Sequence, residues 1–400
     1  MKTEEKNQNQ SSHAHQIYSK RGISVKQDFA LLEQTQFSRF PEHRLKRVDT
    51  PTTLITENVQ RIDSRENAFS KAERGDYGPA ARREQVRPKK EPLIASQLDV
   101  IAHLACIQDN EIAFHKAPIS EDPNLVSRHI KGLGYYLGAD IVGICRVPEY
   151  AVYSFDRMGD PIDTDYPFAL MIVMGKDYRT VNASKGYDWI VDSISFQAYQ
   201  RAALAAHTIA RYVRRLGYRA APQHVRRYQV LVPPLLLWAG IGEVSRTGII
   251  LNPFLGLNYK AAVVLTDVPL VPDKPIDFGL QDFCQHCGIC AEMCPAKAIP
   301  TGDKVMYNGY ETWKLDEQRC GTFFLTNKKG AGCGRCVKVC PFTRPATLPH
   351  NMVRWLVSRF GVARRLAIKA DTIIGRGDAN EKERWWFDLE EVDGVLSIPR

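Results

Sequence analysis

The sequence lacks any apolar run of the ~20 residues that a membrane-spanning helix needs. Its most apolar stretch, VLVPPLLLWAGIG from Val230 to Gly242, is too short and carries Pro233 and Pro234. The first thirty residues hold neither the apolar segment of a signal peptide nor twin arginines ahead of one, so a cytoplasmic chain without a membrane span is expected. No GxGxxG follows a strand and no Walker-type loop is present, which excludes a visible nicotinamide or nucleotide site. A net charge of +9 is spread over 54 Lys and Arg set among 45 Asp and Glu. That mixture reads as a solvated basic surface rather than a nucleic-acid footprint, and no nucleic-acid partner is expected. The excess of basic charge also suits an acidic redox partner.

The chain does have enough apolar residues for a core, 44% of 400. Residues 1–95 are rich in Gln, Ser, Lys, Arg and Glu and end in ARREQVRPKKEP, so they read as a polar extension, partly disordered or wrapped over the rest. From 96 to 275 the apolar residues become periodic. The pattern predicts a helix over Asn124–Leu137, buried strands at Ile141–Cys145 and Phe168–Gly175, and a long helix in SFQAYQRAALAAHTIARYVRRLG. In that helix Phe196, Tyr199, Ala203, Ala206, Ala210 and Val213 recur at helical spacing and Gly217 ends the run. A further strand is expected at Ala261–Asp267. Helices alternating with short apolar strands predict an α/β or α+β sandwich, with a cysteine-rich segment appended at 276–349 and a closing helix and aromatic tail, including Trp385, Trp386 and Phe387, at 350–400.

Ten cysteines are present, eight of them between 284 and 340. Cys106 and Cys145 stand apart and are expected to be small buried apolar residues. Cys284, Cys287, Cys290 and Cys294 before Pro295 follow the bacterial ferredoxin pattern C-x2-C-x2-C-x3-C-P, in which the fourth cysteine serves the other cluster. The second run, Cys333, Cys336 and Cys340 before Pro341, lacks a ligand that Cys320 can supply. The expected ligand sets are therefore Cys284, Cys287, Cys290 and Cys340 for one 4Fe-4S cluster, and Cys294, Cys320, Cys333 and Cys336 for the other. Zinc is the competing reading, but zinc sites rarely use three cysteines at x2 spacing closed by Cys-Pro.

Beyond the cysteines, RRLGYRA at 214–220, WAGIGEVSRTGIILNPFLGLNYKAAVVLTDVPL at 238–270, DKPIDFGLQDFCQHCGICAEMCP at 273–295, CGRCVKVCPF at 333–342 and HNMVRWLVSRFG at 350–361 resemble the catalytic subunit of reductive dehalogenases. ENAFSKAERGDYGP at 66–79 and LGADIVGI at 137–144 carry the same resemblance more weakly. The resemblance implies a base-off cobalamin in a nitroreductase-like α/β domain, reduced through the two clusters, and an organohalide substrate that exchanges halide for a proton. It implies Tyr199 as the proton donor and Lys260 as its basic neighbour. A phenol ionises near ~10, and an adjacent ammonium stabilises the phenolate. The lysine also favours a phenolate or carboxylate on the substrate, hence a halogenated phenolic aromatic.

One departure is that many family members place an Asn after the proline of the LGY element, whereas Pro222 is followed here by Gln223, His224 and Val225. His224 is expected to cap a loop rather than meet substrate. No flavin and ferredoxin reductase portion follows the clusters, so electrons are expected from a separate ferredoxin, flavodoxin or reductase, as in a cytoplasmic catabolic enzyme. Two other readings compete. An epoxyqueuosine reductase would share the cofactors but is expected to show helical repeats after the clusters and an aspartate donor, and a bare electron carrier would not need so large a domain ahead of Cys284.

Overall fold

Period-two alternation inside unbroken apolar runs forces the central strands to bury both faces. In Phe168–Gly175, Leu170, Ile172 and Met174 enter one apolar layer while Ala169, Met171 and Val173 enter the opposite one, and all six are fully buried. The computed structural model describes residues 36–400 except 87, 89–90, 108–110, 329–331, 346, 374–377, 384–389, 393–394 and 398–400. Strands β1 (Ile141–Arg146), β2 (Phe168–Gly175), β3 (Ala220–Gln223) and β4 (Tyr259–Thr266) form one antiparallel sheet in the order β1-β2-β4-β3. The expected strand at 261–267 begins two residues earlier because its pairing with β2 continues to Gly175↔Tyr259. β3 was not foreseen: Pro222 speaks against a strand, and is tolerated because β3 lies at the sheet's edge.

Helices α1 (Pro92–Ala105), α2 (Pro123–Tyr136) and α3 (Trp189–Arg215) lie on one side of the sheet. α3 crosses it on small residues, with Ala198, Ala202, Ala205 and Ala206 against Ile172, Ala262 and Val264. It starts six positions before the expected Ser195 because Trp189–Ser195 are buried on every side and carry no amphipathic period. It ends as expected at Gly217, whose φ of +84° suits glycine and whose missing Cβ leaves room for the Lys116 backbone. α2 begins at Pro123, with the Asp122 carboxylate accepting from Asn124 N–H. The other face is covered by the short helix Val232–Trp238, which inserts Leu235, Leu236 and Leu237. Cys145 sits in that layer as anticipated, whereas Cys106 is exposed, because it lies past the last turn of α1, beyond the buried Ile94, Leu98 and Ile101.

The described part of the polar extension wraps the molecule. Lys46–Arg47 pairs with Ile276–Asp277, and helices Ala68–Arg74 and Pro79–Glu84 pack on α5 (Glu317–Thr326) of the cysteine segment. The segment's other helices are α4 (Leu280–Cys287) and α6 (Arg335–Val339). They are followed by α7 (Leu348–Arg359) and α8 (Gly361–Ile373), which pack on each other, with α8 against α4. Trp385, Trp386 and Phe387 lie outside the described residues. The architecture is α+β, a sheet between helical layers with a cysteine-bearing segment attached.

Candidate active site and cluster-binding cysteines

Short helices separated by left-handed glycines bring the eight cysteines together. α4 carries Cys284 and Cys287, Gly288 turns the chain at φ +63°, and the turn Ile289–Glu292 presents Cys290. Cys340 returns from the end of α6 and faces the charges of Cys284, Cys287 and Cys290. Cys333 faces those of Cys336, Cys320 and Cys294 instead. The two groups adjoin, since Cys290 also feels Cys336. Burial pushes the Cys284, Cys333 and Cys336 thiols up to about 12, so bare thiolates are disfavoured and a bound cation has to stabilise them.

A hollow of about 330 Å³ opens between Cys284, Cys287, Cys290 and Cys340, walled by Arg246 and Thr247. Arg246 is buried and stacks over Trp313 at 4.9 Å. Its guanidinium donates to the carbonyls of Cys284 (2.9 Å), Gln285 (3.1 Å), Pro300 (3.0 Å) and Gly302 (2.9 Å). Among the described residues it makes no ion pair, so its charge stays uncompensated beside the hollow, as an anionic thiolate cluster would require. The eight thiols, in two adjoining groups of four at ferredoxin spacing, fit iron–sulfur clusters better than zinc.

On the sheet domain, Lys260 of β4 and Tyr199 of α3 meet, with the Lys260 ammonium 4.7 Å from the centre of the Tyr199 ring. Tyr228 lies nearby, its phenol held well above the usual range by burial, and its hydroxyl donates to the Ala261 carbonyl at 2.8 Å. Two residues that the sequence reading did not single out complete this neighbourhood. Asp192 lies two helical turns before Tyr199 on α3; it is buried, and its Oδ2 has no hydrogen-bond partner among the described residues. Burial pushes its carboxyl up to about 7 against the opposing pull of Lys260 and Lys176. Lys176, at the end of β2, is pushed down to about 7 by burial and by Lys260, and its other electrostatic neighbours are Cys336 and Asp192.

Asp192 also touches the cysteine segment. A Cβ on Gly332 would lie 2.3 Å from its Oδ1, and one on Gly334 would meet Val191, so only glycines let this loop approach α3. A second hollow of about 260 Å³ runs between α3 and α6, with Lys176, Ser184, Ile190 and Lys338 in its wall. The register i, i+7 from Tyr199 would have exposed Asp192, and Lys176 closes the FALMIVMG strand. Both were passed over because a charged residue beside an apolar run reads as surface. His224 stands apart from this cluster: its Nδ1 donates to the Val225 carbonyl at 2.8 Å and its Nε2 lies 3.1 Å from His207 Nε2 on α3, which is a structural, loop-holding arrangement.

Residues 283–343 match the 4Fe-4S dicluster domain family. Fold and site thus define an iron–sulfur protein in which a dicluster segment is attached to an α+β domain. Over 228 residues the chain is 34% identical to the tetrachloroethene reductive dehalogenase of Dehalobacter restrictus, covering 54% of this chain and 40% of that protein. Over 308 residues it is 28% identical to that of Sulfurospirillum multivorans, covering 68% and 61%. The catabolic reductive dehalogenase NpRdhA, solved in complex with 3-bromo-4-hydroxybenzoic acid, superposes with a TM-score of 0.87 at 40% identity over 93% of this chain and 55% of that one. The chain is thus similar in sequence and fold to reductive dehalogenases, and it spans roughly half the length of the relatives it matches. An epoxyqueuosine reductase of Staphylococcus aureus matches only 26% of the chain, at 34% identity. No described helix is long and apolar enough to cross a membrane.

Proposed function

We propose that the protein is a cytoplasmic reductive dehalogenase, converting an organohalide, two electrons and a proton into the hydrogen-substituted product and halide. Two 4Fe-4S clusters carry the electrons, one on Cys284, Cys287, Cys290 and Cys340, the other on Cys294, Cys320, Cys333 and Cys336. A separate electron donor supplies them. The observation that carries the reading is the Lys260 ammonium over the Tyr199 ring, beside Lys176, which is itself coupled to Cys336. The domain is read as nitroreductase-like, with a base-off cobalamin between α3 and the cysteine segment. When bound, cobalamin supplies a low-valent cobalt that breaks the carbon–halogen bond; a dehalogenase solved at a TM-score of 0.86 and 39% identity is described as B12-dependent. The buried Oδ2 of Asp192, unpartnered among the described residues, and the Lys176 ammonium are polar groups that suit such an amide-rich ligand.

Tyr199 is the proton donor in this reading. Its hydroxyl protonates the carbon that loses halide, and the Lys260 ammonium over its ring stabilises the phenolate left behind. The two lysines favour a substrate bearing a phenolate or carboxylate, and NpRdhA, a halogenated hydroxybenzoate complex, agrees with that preference. The substrate class is accordingly a halogenated phenolic aromatic.

The test is bromide release from a brominated phenol by the cobalamin-loaded, cluster-reconstituted protein with reduced viologen. Tyr199→Phe is expected to lower kcat at least about a hundredfold, in the range typical of a lost general acid. Retained release in the variant would remove Tyr199 from the reaction. Equal turnover of neutral haloalkenes would sink the phenolic preference.

A further inference from the structure

The chain after the last cysteine is both basic and incompletely covered. Between Leu348 and Ile373 it carries five Lys or Arg and a single Asp. On α7, Leu348, Met352 and Trp355 recur at i, i+4 and i+7 and are exposed together. On α8, Val362, Leu366 and Ile373 are exposed on one face with Arg365 and Lys369 among them. An amphipathic hairpin ordinarily turns such a stripe inward. Contiguous apolar surface rimmed by charge marks a place where another molecule binds.

Its position gives that surface a purpose. α8 packs against α4, the helix that bears Cys284 and Cys287, and the end of α4 is open, with Gln285 and His286 exposed and Cys287 partly so. The other cysteine group lies inward, since Gly332 and Gly334, on either side of Cys333, press against Asp192 and Val191 of α3. The Cys284 group is therefore the outer end of the electron path and the hairpin flanks it.

We propose that the exposed face of the α7–α8 hairpin is the docking site of an acidic one-electron carrier protein that feeds the Cys284, Cys287, Cys290 and Cys340 cluster. This rests on the cluster assignment made above. One electron leaves the carrier and the outer cluster takes it up, with no bond or proton exchanged. Arg365 and Lys369 steer the carrier's acidic surface, and the leucine, tryptophan and isoleucine side chains give the short-lived contact its dry centre. Weak redox encounters use small interfaces of this kind.

The experiment mixes the cluster-loaded protein with a reduced acidic bacterial ferredoxin and follows loss of visible cluster absorption. The same samples are reduced by a zwitterionic viologen, a small molecule that needs no docking site. For the Arg365→Glu/Lys369→Glu variant the second-order rate constant with ferredoxin is expected to fall about tenfold or more, and its dependence on salt to flatten, while the viologen rate stays unchanged. Equal ferredoxin rates in variant and wild type overturn the proposal. So do unaltered rates combined with a changed sedimentation coefficient, which assigns the face to a second copy, or with lost retention on anionic vesicles, which assigns it to a lipid surface. If charge reversal perturbs the clusters, seen as a slower viologen reaction, Arg365→Gln/Lys369→Gln replaces it and is read by the same criterion. Failure of the cluster assignment itself would show before mixing, as an absence of iron–sulfur absorption.

Discussion

The four-stranded sheet and the cysteine segment are both buried, by opposite means. In the sheet, backbone groups are paired by the ladders β1-β2-β4-β3, and burial comes from apolar side chains on two faces. In the cysteine segment the helices are short, many carbonyls have no ladder partner, and cysteines themselves make up much of the apolar clusters. Long cationic side chains take up the carbonyls. Arg246 binds four of them, while the Lys338 ammonium reaches out of the segment to the carbonyls of Asn182 (2.7 Å), Ser184 (2.5 Å) and Asp378 (2.9 Å). Arg246, which completes this backbone hydrogen bonding, also places positive charge beside the Cys284 and Cys290 thiols. A segment too small to fold on apolar burial alone is held by charge and metal.

The sharpest way to break this contrast is to remove iron. With a chelator under reducing conditions, amide hydrogen exchange across 280–343 is expected to approach unfolded rates while β1, β2 and β4 keep their protection. Protection that survives in both would show that apolar packing suffices for the cysteine segment. Leu170→Ala tests the other half, and urea unfolding of the sheet domain is expected to lose about 2–5 kcal/mol, with cluster absorption preserved in the folded protein. Arg246→Met keeps an apolar stem over Trp313 but strands the carbonyls of Cys284, Gln285, Pro300 and Gly302. It is expected to cost on the order of 3 kcal/mol and to weaken iron retention, read as iron per chain after gel filtration. The smallest effect is local: Gly332→Ala places a methyl against the Asp192 carboxylate, at a backbone φ of +149° unfavourable to alanine. About 1–3 kcal/mol of strain is expected, with lost cobalamin retention but both clusters intact. Unchanged corrinoid content would separate Asp192 from that site.

What the sequence revealed follows the same division. FALMIVMG and the AAVVLTD strand were legible because a strand buried on both faces is apolar throughout, and the cysteines were legible because their spacing is set by chemistry rather than by packing. The first turns of α3 were hidden, since Trp189–Ser195 meet neighbours all round and show no period. Asp192 and Lys176 were hidden because a charged residue beside an apolar run reads as surface, and only the fold sets them beside Lys260. Tyr199 and Lys260, sixty-one positions apart, could be paired only through the resemblance, and the contact between α3 and β4 brings them together.

The pairing of Lys46–Arg47 with Ile276–Asp277 bears on how the chain is made. Lys46 and Asp277 are 231 positions apart. At a translation rate of 5–20 residues per second, the N-terminal strand emerges from the ribosome roughly 10–50 s before its partner exists. Its two residues are basic and exposed, which keeps an unpaired edge from recruiting a neighbouring nascent chain during that interval.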